Sequence, residues 1–278
     1  MTVQVITDST SDISPELAAE LNIGVVPIYV HFGDKTYRDG QDLKSDEFYS
    51  LLTTSPVHPS TSQPNPNDFA SAYKEYSKKA DGIVSIHISS RISGTYNSAV
   101  LARELVEDCP VEVIDSRFNS AGLGLVVTAA ARLAGKGAGL AEVVREANNA
   151  IRQVNMFGMF STMKYLVRSG RMNKTIATAS DFLHVMPLLT FHDGEIVRAG
   201  LVRTIAKGMD RIYNFVKNNL PVSELTIVHS AIKDQALELK NRLSEYIPEG
   251  SISIAQLGCS LGVHGGPGVL LGAIRKAV

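Results

Sequence analysis

The 278-residue chain balances 27 Lys and Arg against 28 Asp and Glu for a net charge of −1, and is 44% hydrophobic and 20% charged. That composition describes an ordinary folded protein, and with no basic run to attract a phosphate backbone it argues against disorder and nucleic-acid coating. The N-terminus reads without a signal-peptide pattern, the longest apolar stretch is broken by Arg132, and two cysteines far apart suggest neither a disulfide framework nor a zinc site, so the expected compartment is the cytoplasm without membrane insertion.

At ~150 residues per domain the length predicts two lobes, with a boundary near residue 156 giving 1–156 and 157–278. "VQVI" at 3–6 reads as a buried strand, followed by the polar loop "TDSTSD" and a helix with Ser14 as cap and Pro15 in its first turn. "VVPIYVHF" at 25–32 reads as a second strand and "GDKTYRDG" as a turn-rich excursion. Phe69, Ala72, Tyr73 and Tyr76 fall at helical spacing. "GIVSIHI" at 82–88 and "VEVID" at 111–115 read as further strands, each followed by a helical pattern, the second over "AGLGLVVTAAARLA". Strands alternating with helices predict a doubly wound, mostly parallel sheet in the first lobe.

The second lobe has another rhythm. "MFGMFS", "LLTFH" and "EIVRAGLV" read as strands, the last two joined as a hairpin at Asp193-Gly194, a strong turn pair. Helical patterns at 204–220 and 234–246 alternate with strands at 224–230 and 251–257, so a mixed or antiparallel α/β lobe is expected.

Ligands of open α/β sheets bind beyond the carboxyl ends of the strands, where "TDSTSD", "PSTSQP" and "SSRISGTYNS" are expected. Each loop alone reads as helix capping; three at one edge predict a pocket. Pro59, Pro64 and Pro66 stiffen the segment that carries Thr61 and Ser62. Gly94 is expected to allow a tight turn, with the next helix start suited to an anion. His264 stands in "GVHGGPG", whose glycines would let a ligand approach the backbone. Asp8 could orient a hydroxyl, ligate a metal or cap a helix. Dinucleotide, P-loop, serine-hydrolase and zincin signatures are missing, so no cofactor, metal or catalytic group is assigned.

"VITDSTSD", "TSQP", "ISGTYNSA", "SGRM", "LVRT" and "HGGPG", in this order over nearly the whole chain, resemble the DegV family. The resemblance implies a two-domain α/β protein that holds a long-chain fatty acid between its domains. Some members, called FakB, present the acid to a separate fatty acid kinase that makes an acyl phosphate for phospholipid synthesis. It further implies that Thr61 and Ser93 hydrogen-bond the carboxylate, that Ser62 and Gly94 shape the pocket, that His264 lies beside the carboxyl group, and that Arg203 guides the head group or the kinase encounter. Ser169-Gly170-Arg171 stands where the family often has Gly-Gly-Arg, and Gly265 where Thr is common.

Burying about fourteen methylenes at ~0.8 kcal/mol each gives about 11 kcal/mol of gross transfer energy, so a tail would dominate affinity and the polar groups would orient it. Phe160, Leu166, Phe182, Met186 and Leu188 could line a tail tunnel and read equally as ordinary core. Two other functions stay open: an enzyme, either a hydrolase using Ser93 and His264 or a phosphotransferase, and a sensor of a small polar ligand.

Overall fold

The computed structural model describes residues 2–107, 109–171 and 185–277. Its first half runs β1 (Val3–Asp8), α1 (Pro15–Glu20), β2 (Ile23–Val26), β3 (Tyr29–Phe32), β4 (Lys35–Arg38), α2 (Ser45–Thr54), β5 (Ser60–Ser62), α3 (Pro66–Tyr76), β6 (Gly82–His87), α4 (Thr95–Arg103), β7 (Val111–Asp115), α5 (Ser120–Gly135) and α6 (Leu140–Gln153). The second half adds β8 (Val154–Met159), α7 (Lys164–Ser169), β9 (Met186–His192), β10 (Glu195–Val202), α8 (Ile205–Lys217), β11 (Val222–His229), α9 (Lys233–Leu243), β12 (Ile252–Gln256), α10 (Cys259–Gly265) and β13 (Leu270–Lys276).

The first sheet is parallel throughout, in the order β2-β1-β6-β7. Its strands are apolar runs because both faces are covered. Val5, Val84 and Ile86 join one core with α5 and α6, while Ile6 and Ile83 join another with Phe69 and Tyr73 of α3 and Ala99 of α4. The doubly wound reading holds. Ser14 accepts from Leu17 N and Pro15 opens α1, as the sequence predicts.

The second sheet is mixed, in the order β10-β9-β8-β13-β11-β12, with β11 and β12 parallel and the other pairs antiparallel. Asp193 and Gly194, at φ 48° and 82°, form the two-residue turn of the expected hairpin. Met156, Leu271 and Ala273 face α5 and α6; Phe157, Leu225 and Ile274 face the other way into a core with Ile212 of α8 and Leu239 of α9.

Helices α5 and α6 are therefore the middle layer of five. Each residue of α5 from Ser120 to Ala131 is buried, which is why its sequence is apolar all round rather than amphipathic. Amphipathic α6, not anticipated from the sequence, turns Val143, Ala147 and Ala150 into the same core.

The segment 25–32 is not one strand. Pro27 has no N–H to donate to a ladder, and the chain leaves the parallel sheet there. Beyond it, β3 joins a small antiparallel sheet of order β4-β3-β5, so the "turn-rich" segment contains a strand and the proline-framed "STS" is itself a strand. Val30 of β3 packs with Phe48 of α2 and with Cys259 and Val263 of α10. That contact brings β5 of the first half beside α10 of the second.

Candidate functional site

A polar cleft of about 720 Å³ opens where β5, the loop after β6, the N-terminus of α4, the start of β10 and α10 converge. Thr61, Ser62, Ser93, Gly94 and His264 all line it, together with Thr10, Arg91 and Arg171. Thr61 and His264, 203 positions apart, meet directly: Thr61 Oγ1 lies 2.9 Å from His264 Nε2. Ser93 Oγ accepts from Thr95 N and pairs with the Thr95 hydroxyl, at the mouth of α4. Ser62 Oγ is 2.8 Å from Nε2 of His31.

The imidazole of His264 is neutral at ordinary pH, because burial, helped by the Arg171 charge and by His58, lowers its pKa to about 3. Its Nδ1 is buried without a hydrogen-bond partner. Thus Thr61 and His264 offer neutral groups, and the positive charge at the cleft comes from Arg91 and Arg171. Arg91 is engaged by Glu195 at 3.0 Å across the cleft's rim.

Behind the polar cleft lies a second cavity of about 60 Å³, lined by Met156, Phe160, Leu166, Leu189, Phe191 and Leu257 among others. Ile92, Arg171, Ile196, Leu261 and His264 line both spaces, so the two adjoin at His264.

Not every sequence expectation lands here. Arg203 is exposed after the end of β10 and lines neither space; Arg171 and Arg91 bring the cations instead. Phe160 and Leu166 line the apolar cavity, whereas Met186 and Leu188 pack into the core under α8, and Phe182 lies outside the described residues. Gly94 has φ −72° and makes no left-handed turn. A Cβ there would stand 2.2 Å from Oε1 of Gln63, so a larger residue would displace the end of that side chain. His264 sits on a helix, not in an open glycine loop, and Gly262 is needed because a Cβ would come within 2.5 Å of the Phe48 ring.

The Ser93-His264 pairing of the hydrolase reading is not assembled, since Ser93 bonds Thr95 and His264 bonds Thr61, and Asp8 does not join them. Asp8 instead accepts from Thr10 N at 3.0 Å, Ile88 N at 3.1 Å and the Thr10 hydroxyl, and lies 3.0 Å from His87 Nδ1. His87 Nε2 is 2.6 Å from Ser85 Oγ, which accepts from the Tyr73 hydroxyl at 2.8 Å. Asp8, His87 and Ser85 thus have the order of a catalytic triad, yet all three are 0% exposed. They hold Thr10 at the cleft rather than reach it. Among the described residues no group of three or more His, Cys, Asp or Glu is placed to hold a metal, and no helix is long and apolar enough to cross a membrane.

A family profile described as an uncharacterised protein of the DegV family matches residues 2–274. The chain belongs to the DegV family. Its relatives include a DegV domain-containing protein of Caldanaerobacter subterraneus subsp. tengcongensis, 34% identical over 268 residues and 95% of each chain. A DegV family protein from Thermus thermophilus, whose solved structure concerns fatty acid binding, superposes with a TM-score of 0.91 at 30% identity over 99% of this chain and 100% of that one. A stearic acid-binding protein from Eubacterium ventriosum superposes with a TM-score of 0.88 at 26% identity over 98% of each chain. The family resemblance drawn from the six motifs therefore holds, and the α/β architecture of this DegV family member is that of its neighbours.

Proposed function

We propose that this DegV family member binds a long-chain fatty acid between lobes 1–156 and 157–278 and presents its carboxyl group to a separate fatty acid kinase in the cytoplasm. The observation that carries the reading is the adjacency, at His264, of a hydroxyl-lined cleft and an apolar cavity. A molecule with one polar end and a long apolar tail matches both. Thr61 and Ser93, with the N-terminal end of α4, take the carboxylate; Ser62 and Gly94 shape that end, and Arg171 supplies the charge. Exposed Arg203, away from the head group, is left to the kinase encounter.

Neutral His264 accepts or donates a single hydrogen bond without forming an ion pair, so the carboxylate stays reachable for phosphorylation. The chain itself supplies no reaction step in this reading: the Ser93 hydroxyl bonds Thr95, not His264, and so lacks a base. At about 60 Å³ the apolar cavity has room for a few waters at most, so a tail enters by repacking Met156, Phe160 and Leu166.

The test is mass spectrometry of the organic extract of purified protein beside a matched control, followed by titration with fatty acids. A stoichiometric long-chain acid is expected, with at least tenfold weaker binding in the Thr61→Ala/Ser93→Ala double variant, since charge-assisted hydrogen bonds contribute ~1.5 to 3 kcal/mol each. An empty extract and no binding of added acids would overturn the reading. Adding fatty acid kinase and ATP should yield acyl phosphate only when all components are present.

A further inference from the structure

The apolar cavity has a polar end. Asn119 and Ser120, the cap and first residue of α5, line it, although most of the wall is aliphatic or aromatic. Ser120 is 1% exposed and its hydroxyl donates to Oδ2 of Asp12. The other carboxyl oxygen of Asp12 accepts from Gly258 N at 2.9 Å, and Gly258 caps the N-terminus of α10. Asp12 and Ala121 in turn line a separate cleft of about 500 Å³ between the start of α1, α5 and the β11-β12 edge. Ile13, Leu17, Leu125 and Ile254 make that cleft partly apolar.

Helix α10 gives the direction. Leu261 and His264, three apart on α10, line the cavity, as does Leu257 just before the helix, so this segment runs along it. His264 stands at one end of that segment; Gly258, with Asp12 on its N–H, stands at the other, about 9 Å away at 1.5 Å per residue. The cavity adjoins the polar cleft at the His264 end; at the other, Ser120 on its wall is bonded to Asp12 on the wall of the second cleft.

We infer that the Asp12-Ser120 hydrogen bond is the end wall of the acyl tunnel and sets the longest chain this protein accepts, with the 500 Å³ cleft as the space withheld behind it. The inference rests on the fatty-acid reading above. Both wall residues have positive φ, 51° for Asp12 and 47° for Ser120, so each side chain is aimed by a backbone fixed in an uncommon conformation. Burial also keeps Asp12 protonated to about pH 8, which leaves the wall uncharged at neutral pH.

The experiment is a series of saturated fatty acids of increasing length titrated into the wild-type protein and into Ser120→Gly, a change the positive φ accepts without strain. Each methylene that finds apolar surface should improve Kd about fourfold. In the wild type the gain should stop at the length that meets the wall; in Ser120→Gly, and more so in Ser120→Gly/Asp12→Ala, the break should move out by two or more carbons. Asp12→Asn, which keeps the shape, accepts from Gly258 N and donates to Ser120 Oγ in place of accepting from it, should retain the wild-type break. An unmoved break in folded Ser120→Gly overturns the inference and leaves fatty-acid binding intact, whereas a wild type that binds no acid of any length overturns both.

A measurement on the wild type alone guards against a variant that does not fold: a palmitate with a diazirine at its terminal carbon, photolysed in the complex. Labelling of peptides holding residue 12 or 119–121 is expected. Labelling confined to α7 or to the β9-β10 hairpin overturns the inference.

Discussion

His264 and Asp12 are both buried away from their ordinary charge states, with opposite consequences. The folded protein keeps His264 neutral down to about pH 3, while the unfolded chain protonates it near 6.5. Between those values the unfolded state binds more protons, so the His264 contribution is lost as pH falls below 6.5. Asp12 keeps its proton to about pH 8 when folded, against 3.8 for an ordinary carboxyl, because burial outweighs the Ser120 and Gly258 hydrogen bonds. There the folded state binds more protons, and its contribution fades as pH rises from about 4 to 8. Above 6.5 only the acid slope remains of these two. Urea midpoints should therefore fall between pH 6.5 and 8 in the wild type and fall less in Asp12→Asn. Below 6.5, His264→Gln should lose less stability than the wild type; His58 and His229, also lowered by burial, keep part of that loss. Matching slopes in wild type and variants would contradict the burial argument.

At the scale of elements, α5 carries an argument that helix propensity would get backwards. Replacing a mid-helix Gly by Ala ordinarily gains about 1 kcal/mol. At Gly124, however, a Cβ would sit 2.7 Å from the backbone oxygen of Ser11, which cannot swing aside as a side-chain tip would. Gly124→Ala should lower stability by about 2 kcal/mol in urea titration; an increase would mean that the loop after β1 yields. Much at this scale was legible. The runs in β1, β6 and β7 read as strands of a parallel sheet because short, mostly apolar stretches alternate with helical patterns, and Asp193-Gly194 announces its turn by the backbone it demands. Less legible was α10, where Gly262 and Gly265 look like loop residues but clear space for Phe48 and Val269. The site followed the same division. Hydroxyls in motif order pointed to the cleft, but choosing Arg171 over Arg203 required knowing that the start of β10, and not its end, faces the cleft, which the local pattern does not say.

For the molecule as a whole, the middle layer decides how the halves depend on each other. One hydrophobic cluster contains Val84 of the first sheet, Leu123 and Ala147 of the middle helices, and Leu271 of the second sheet. A fragment ending at residue 156 would leave bare the α5 and α6 surface that meets β8 and β13. It should bind a hydrophobic dye and lack a sharp urea transition, whereas the full chain should unfold in one step, seen alike by circular dichroism and by tyrosine emission, since it has no tryptophan. A fragment with a cooperative transition of its own would show that the shared core is dispensable to the first lobe.

The tip of the β9-β10 hairpin touches the loops after β6 and β7, in the first half of the chain, at three places. Ser89 Oγ donates to Gly194 O at 2.7 Å, Arg91 meets Glu195 at 3.0 Å, and Arg117 lies 3.9 Å from Asp193. Arg91 and Glu195 stand on the rim of the cleft, so under the proposed fatty-acid reading these ties would govern how fast the acid comes and goes more than how well it fits once inside. Exposed pairs of this kind contribute little to equilibrium. Arg91→Ala should accordingly raise uptake and release rates together in stopped-flow traces while Kd stays within about twofold. If the chain carries a fatty acid as proposed, its residence time would be adjusted at the rim and the choice of cargo left to the interior.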